Sequence, residues 1–124
     1  MGKTILIIDD SESVRQLLAF SLKENGYEVI EADNGKTALS RLSGAKIHLI
    51  ICDVNMPEMD GIAFVKALKN DETYAAYKFT PVIMLTTESG EDKKAEGKDA
   101  GVKAWMVKPF TPDRLLSAVQ KLMA

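Results

Sequence analysis

Residues 4–10 of the chain are Thr4-Ile5-Leu6-Ile7-Ile8-Asp9-Asp10. The run from Thr4 to Ile8 is β-branched or apolar without interruption, which is typical of a strand buried on both faces of a parallel sheet. The two aspartates place carboxylates directly after that strand. In open α/β sheets, ligands bind outside the carboxyl ends of the strands. This stretch therefore predicts a central parallel strand with a functional site at its end.

Four further apolar segments are predicted to be strands: Tyr27–Ala32, Ile47–Cys52, Pro81–Thr86 and Ala104–Val107. Between and after them, apolar residues recur at the three- and four-residue spacing of amphipathic helices. Strands that alternate with helices indicate a parallel sheet covered on both sides. We therefore expect an α/β fold with a doubly wound, five-stranded parallel sheet, flavodoxin-like in its order 2-1-3-4-5, and five helices.

The predicted fourth helix, within Ser89–Gly101, differs from the others in composition. Its only apolar side chains are Ala95 and Ala100. Three glycines in the same segment weaken any helix there. A helix with so little surface to bury is expected to be loosely held and easily displaced.

Length and composition narrow the class of protein. The 124 residues suit a single domain, 1–124. A formal net charge of -2 gives no strong attraction to nucleic acid. The single cysteine, Cys52, cannot form an internal disulfide, and it is expected to be a small buried hydrophobe. Neither a membrane-spanning run nor a secretory signal is evident. We expect a cytoplasmic protein that binds neither nucleic acid nor a membrane.

Polar residues follow the other central strands as well. Asp53 comes directly after the third strand, Thr86 ends the fourth, and Lys108 follows the fifth. Because the carboxyl ends of parallel strands meet at one edge of a sheet, these residues are expected to lie near Asp9 and Asp10. The sequence thus predicts three carboxylates, a hydroxyl and an ammonium group around one site.

The charges in this predicted site indicate its chemistry. Two like charges about 4 Å apart repel by about 4 kcal/mol at an effective dielectric near 20. Three carboxylates together therefore take up a proton or bind a cation. Mg2+ suits such oxygen ligands together with phosphate oxygens, and with Lys108 it would balance the formal charge of Asp9, Asp10 and Asp53. A carboxylate in this setting can attack phosphorus and form an acyl phosphate.

Four motifs carry a resemblance to a known family, and each follows a predicted strand. They are Ile7-Ile8-Asp9-Asp10-Ser11, the segment Ile51–Gly61 (ICDVNMPEMDG), Met84-Leu85-Thr86-Thr87-Glu88, and Val107-Lys108-Pro109-Phe110. In this order they span nearly the whole chain. The sequence resembles the receiver domains of response regulators, and most of all the stand-alone, chemotaxis-type (CheY-like) members.

The resemblance implies a role for each residue of the acidic site. Asp53 would be the phosphoryl acceptor. Asp9, Asp10 and Asp53 would bind Mg2+ together with the backbone carbonyl of Asn55. Lys108 would pair with the phosphoryl oxygens.

The resemblance also implies a switch. Thr86 would hydrogen-bond the phosphoryl group and shift when that group arrives, and Trp105 would be the aromatic switch residue on the fifth strand. Asn55 and Glu88 would flank the path of the hydrolytic water. Two residues depart from the usual pattern: Trp105 stands where Tyr or Phe is common, and Thr87 stands where the family often has Ala or Gly. Because it is bulkier, Thr87 would act as a gating residue that restricts access to Asp53.

The implied partners are proteins. A histidine kinase or a histidine phosphotransfer protein would act upstream. The target downstream is not named by the sequence, and it would bind the face formed by the fourth helix, fifth strand and fifth helix. We expect no attached output domain, so the signal would pass by phosphorylation-dependent binding. We expect a monomer that catalyses only its own phosphorylation and dephosphorylation.

Three alternatives belong to other classes. A Mg2+-dependent phosphatase of the haloacid dehalogenase type would carry its nucleophile in an Asp-x-Asp motif after the first strand, whereas Asp53 follows the third. A flavodoxin-like flavin carrier would need a Ser/Thr/Gly-rich phosphate loop after the first strand. A receiver that binds partners without phosphorylation would not need the full set of chemical residues found here.

Overall fold

The computed structural model describes residues 3–42, 44, 46–54, 56, 59–86, 98, 100–108 and 110–123. Five strands pair in parallel in the order β2-β1-β3-β4-β5, which confirms the predicted doubly wound sheet. The strands are β1 (Thr4–Ile8), β2 (Glu28–Ala32), β3 (Leu49–Asp53), β4 (Val82–Thr86) and β5 (Ala104–Val107). Their bounds differ from the predicted ones by two residues at most.

Four α-helices have described bounds: α1 (Glu12–Glu24), α2 (Gly35–Ser40), α3 (Gly61–Asn70) and the C-terminal helix (Pro112–Met123). Between β4 and β5, where the remaining helix was predicted, Lys98 and Ala100 are helical. Most of that segment lies outside the described residues, so its loose packing stays a prediction. No helix in the described part of the chain is long and apolar enough to cross a membrane.

The sequence did not predict the short 3-10 helix Glu72–Tyr77 that follows α3. Its last residue, Tyr77, is buried and its hydroxyl donates a hydrogen bond to the carbonyl of Leu42, beyond the end of α2. This contact joins two segments 35 residues apart in the chain. It connects the segment that follows α2 to the 3-10 helix that follows α3.

Short polar side chains cap the first three helices. The side chains of Ser11, Asn34 and Asp60 each accept a hydrogen bond from the backbone amide three residues later in the chain. The donor–acceptor distances are 3.3, 2.8 and 2.8 Å respectively. Each cap of this kind stabilises a helix by about 1 kcal/mol.

The sheet separates two apolar layers because successive strand residues point to opposite faces. Towards α2 and α3 it presents Leu6, Ile8, Ile50, Cys52, Val82 and Met84. Towards α1 and the C-terminal helix it presents Ile5, Ile7, Leu49, Ile51, Ile83 and Leu85. All twelve are 0% exposed. Burial on both faces explains the uninterrupted apolar runs in the sequence.

Gly61, the first residue of α3, allows the helix to approach the end of β3 closely. Its amide donates to the carbonyl of Val54 at 2.9 Å. A Cβ atom at this position would overlap the carbonyl oxygen of Asp53 and would lie 2.8 Å from the methyl carbon of Met84. Backbone cannot move aside as a flexible side chain can, so Gly61 is required by the packing beneath the acidic site.

We expect Gly61→Ala to lower the free energy of unfolding by about 1–3 kcal/mol, because the added methyl group overpacks this contact. Urea denaturation followed by circular dichroism measures the change. The matched control is Gly35→Ala, also at a helix start, where the added Cβ would lie 3.0 Å from the flexible side chain of Met59 and 3.1 Å from its carbonyl oxygen, a tight contact but not an overlap. Equal stability changes in the two variants would contradict the close approach at Gly61.

Candidate functional site at the carboxyl edge of the sheet

Three carboxylates meet where β1 and β3 end. Ile8 and Cys52 are partners in the register of these strands, so the next residues, Asp9 and Asp53, lie side by side. Asp10 follows at once, and carboxylate oxygens of Asp9, Asp10 and Asp53 all lie within 4.8 Å of one another. Asp9 and Asp53 are buried, whereas Asp10 is exposed. The structure thus brings together the acidic residues that the sequence placed at this edge.

Hydrogen bonds to both the backbone amide and the carboxylate hold Asp9 in place. Its amide donates to the carbonyl of Ala32 at 3.1 Å. Its carboxylate accepts from the amide of Ser11 at 2.9 Å and from the ammonium group of Lys108 at 2.8 Å. A buried carboxylate without such partners would strongly destabilise the fold. Asp9 is therefore a fixed side of the cluster.

Lys108 bridges the two buried carboxylates. Its Nζ lies 2.8 Å from Asp9 Oδ2 and 3.4 Å from Asp53 Oδ2, and its amide donates to the carbonyl of Thr86 at 2.7 Å. Burial alone lowers the pKa of Lys108, but the hydrogen bond and charge of Asp9, followed by those of Asp53, outweigh it and raise the pKa above its usual value. The lysine is therefore a cation at neutral pH.

Thr86 adds a hydroxyl group to the same edge of the sheet. It is the last residue of β4, one position beyond Leu85, which pairs with Asp53 in the sheet register. Thr86 is 1% exposed and Asp53 is 5% exposed. The hydroxyl-bearing residue and the buried carboxylate therefore end neighbouring strands.

Cys52 lies next to Asp53 but has a structural environment. Its side chain is fully buried in the apolar layer between the sheet and helices α2 and α3. Its thiol donates a hydrogen bond to the carbonyl of Asp53 at 3.3 Å. Burial raises the pKa of the thiol, and the negative charge of Asp53 raises it further. A thiol in this state is a poor nucleophile. Asp53 is the better candidate for nucleophilic chemistry at this site.

Trp105 lies in β5 opposite Met84 and packs against the apolar layer on the side of α2 and α3. The indole is partly buried, and its Nε1 atom is buried without a hydrogen-bond partner among the described residues. This position is one strand away from Thr86. The role of Trp105 as a switch residue stays a prediction.

Three predicted site residues, Asn55, Thr87 and Glu88, lie outside the described part of the chain. The carbonyl ligand expected from Asn55 and the gating roles expected of Thr87 and Glu88 therefore stay predictions.

Sequence reasoning missed one residue that contacts this site. Arg15 Nη1 donates a hydrogen bond of 2.6 Å to the carbonyl oxygen of Asp9. Arg15 is the fourth residue of α1, and a charged residue on an amphipathic helix usually faces solvent. No motif distinguishes it, and only the folded position of α1 against the loop after β1 shows the contact.

Comparison with known proteins agrees with this geometry. The response regulator receiver domain family matches residues 5–120, which is nearly the entire chain. The chain belongs to the response regulator receiver domain family. The predicted resemblance is thereby confirmed, and the acidic edge of this receiver domain lies where its three carboxylates and Lys108 meet.

Two chemotaxis proteins are similar over nearly their whole length. The structure of CheY4 of Vibrio cholerae superposes on this receiver domain with a TM-score of 0.92 at 45% identity, covering 98% of this chain and 99% of that one. CheY1 of Helicobacter pylori is 37% identical over 121 residues, which is 96% of this chain and 95% of CheY1. The receiver domain is therefore CheY-like.

Longer proteins are similar too. The phosphate regulon transcriptional regulatory protein PhoB of Pseudomonas aeruginosa is 36% identical over 99% of this chain. The alkaline phosphatase synthesis transcriptional regulatory protein PhoP of Bacillus subtilis is also 36% identical over 99% of this chain. The chain spans about half the length of these two relatives, 52% and 49% respectively.

Proposed function

We propose that this receiver domain is a two-component signalling switch in which Asp53 accepts a phosphoryl group in a Mg2+-dependent reaction. One observation carries the proposal: Asp53 lies in a cluster with Asp9 and Asp10, with Lys108 3.4 Å from its carboxylate. A nucleophilic carboxylate needs both a partner for the charge of phosphate and a fixed orientation. The described residues supply both.

The donor set fits a magnesium ion. Three carboxylates offer hard oxygen ligands within a small radius, and one of them, Asp10, is exposed and leaves a path for entry. Lys108 compensates one of the three negative charges, so two remain for a divalent cation. When bound, Mg2+ would neutralise charge on the transferring phosphoryl group. Asp9, Asp10 and Asp53 would hold it, together with the carbonyl of Asn55.

The chain's own residues account for the transfer step. A carboxylate oxygen of Asp53 forms a bond to phosphorus while the bond from phosphorus to the donor nitrogen of a phosphohistidine breaks, and the electron pair of that bond stays on the imidazole. The ammonium group of Lys108, which lies beside Asp53 before the reaction, can form an ion pair with the phosphoryl oxygens after it. Phosphoryl transfer depends mainly on alignment and charge stabilisation, which suits this arrangement.

The signal would arise from the added charge. Phosphorylation replaces a single negative charge on Asp53 with a group of charge near -2 and new acceptor oxygens. Hydrogen bonds from Thr86 and Lys108 to the phosphoryl group would contribute roughly 1.5–3 kcal/mol each. Shifting a two-state equilibrium from 1:99 to 99:1 takes about 5.5 kcal/mol, which two bonds at the upper end of that range supply. Thr86 ends β4 beside β5, so its movement would reach Trp105 and the segment 89–101.

The wider role follows from this chemistry. A histidine kinase or histidine phosphotransfer protein would supply the phosphoryl group. A protein target would bind the face of the fourth helix, β5 and the C-terminal helix. We propose that residues 1–124 act as one monomeric cytoplasmic receiver that catalyses only its own phosphorylation and dephosphorylation, without binding nucleic acid or membranes.

Intact-mass spectrometry after incubation with acetyl phosphate and Mg2+ tests the proposal. We expect wild-type protein to gain the mass of one phosphoryl group, to lose it on standing, and to gain nothing when EDTA replaces Mg2+. Asp53→Asn should gain none. Asp33→Asn is the matched control, because Asp33 also lies at the carboxyl end of a strand but lies outside the cluster. An equal mass gain in the wild type and Asp53→Asn would overturn the proposal.

A further inference from the structure

Arg15 connects helix α1 to the loop that carries the first two aspartates. Its Nη1 atom donates to the carbonyl oxygen of Asp9 at 2.6 Å, and its Nε atom lies 3.4 Å from a carboxylate oxygen of Glu31. The Arg15 side chain is 18% exposed and that of Glu31 is 41% exposed. Arg15 therefore makes two contacts in a partly shielded position: a hydrogen bond with the loop after β1 and an ion pair with β2.

The carbonyl that Arg15 holds belongs to the peptide between Asp9 and Asp10. A peptide unit is planar, so fixing its oxygen also fixes the direction in which the chain enters Asp10. The buried side chain of Asp9 is held separately by Ser11 and Lys108. Asp10 is exposed, so the backbone, rather than packing, determines where its carboxylate lies.

Glu31 decides which way the guanidinium group points. Arg15 borders a cavity of about 400 Å³ that is also lined by Glu31, Thr37 and Arg41. The ion pair with Glu31 holds the guanidinium at the edge of this cavity, while its Nη1 atom reaches the carbonyl of Asp9. Glu31 lies in β2 opposite Ile7 of β1, so its backbone is rigid.

We infer that Arg15, oriented by Glu31, is a positioning residue for cation binding at the acidic cluster: it holds the Asp9–Asp10 peptide so that the carboxylate of Asp10 faces those of Asp9 and Asp53. This inference rests on the proposed function. It makes a prediction opposite to simple electrostatics. A positive charge near a cation site weakens cation binding, so removal of Arg15 should strengthen it if charge alone mattered.

The test is isothermal titration calorimetry with MgCl2 alone on the intact chain. We expect Arg15→Gln to raise the Kd for Mg2+ by about tenfold, the scale on which partners of metal ligands act. Arg15→Lys keeps the charge but lacks the planar fork that reaches both Asp9 and Glu31, and it should also raise the Kd. Glu31→Gln should raise the Kd for Mg2+ less than Arg15→Gln does. The double variant Arg15→Gln/Glu31→Gln should bind Mg2+ with a Kd no higher than that of Arg15→Gln alone.

Arg41→Gln is the matched control, because Arg41 borders the same cavity and carries the same charge. We expect its Kd to stay at or below the wild-type value. Thermal unfolding without Mg2+ verifies that each variant is folded, and Glu31→Gln tests the same arrangement with Arg15 retained. An Arg15→Gln Kd equal to or lower than that of wild type would overturn the positioning role alone. Wild-type protein that bound no Mg2+ would overturn both this role and the proposed function.

Discussion

Replacing Lys108 with methionine should slow the phosphorylation of Asp53 by acetyl phosphate by about two to three orders of magnitude at saturating Mg2+. Loss of one preorganised group that stabilises transition-state charge has an effect of this size. The geometry supports it, since Lys108 Nζ lies 3.4 Å from Asp53 and 2.8 Å from Asp9. Methionine preserves the length and much of the volume of the side chain, so packing is largely retained. Quenched-flow sampling with intact-mass detection measures the rate.

Lys103→Met is the matched control for this experiment. Lys103 is exposed and precedes β5, whereas Lys108 follows that strand at the acidic edge. The control should phosphorylate at the wild-type rate. Because Lys108→Met leaves the buried carboxylate of Asp9 without its cation, it should also unfold more easily. Stabilisation of the variant by Mg2+ would show that it is folded, and a wild-type phosphorylation rate in such protein would exclude the role of Lys108.

Magnesium should stabilise the fold itself, and this effect should depend on Asp10. A ligand that binds only the folded state at a hundred times its Kd stabilises that state by about 2.7 kcal/mol. Asp10 is the suitable residue to change, because it is exposed and its loss should not disturb the core. We expect most of the stabilisation to vanish in Asp10→Asn. Chemical denaturation with and without MgCl2 measures it.

Asp33→Asn again supplies the comparison with Asp10→Asn. Asp33 is exposed, as Asp10 is, and it also follows a strand, β2. This variant should retain the full effect of Mg2+. A sodium salt at equal ionic strength separates site binding from general screening. Equal stabilisation of Asp10→Asn and Asp33→Asn by MgCl2 would show that the cation does not bind the predicted cluster.

The sequence predicted the sheet well because its central strands are buried on both faces. Short, uninterrupted apolar runs such as Ile5–Ile8, bounded by glycine or short polar residues, are typical of such strands. The acidic edge could be predicted for a related reason. In a parallel sheet, the residue after each strand lies at the same edge, so the positions of Asp9, Asp53 and Lys108 in the chain largely determine where they meet.

The features that could not be predicted depend on distances between elements. Gly61 is needed because α3 starts against the carbonyl of Asp53, and the sequence shows only a turn and a helix start there. Arg15 resembles any solvated helix residue until α1 is placed beside the loop after β1. The 3-10 helix ending at Tyr77 lacks a periodic apolar pattern, and the buried contact of Tyr77 with Leu42 spans 35 residues.

Covalent mapping of the phosphorylated residue tests the central claim most directly. Borohydride reduces an aspartyl phosphate to homoserine, which marks the acceptor permanently. After treatment of the intact protein with acetyl phosphate and Mg2+, reduction and peptide sequencing should find homoserine at position 53, and no such conversion when Mg2+ is withheld. Homoserine at position 9 or 10 instead, or an unmodified Asp53 after treatment with acetyl phosphate and Mg2+, would contradict the account.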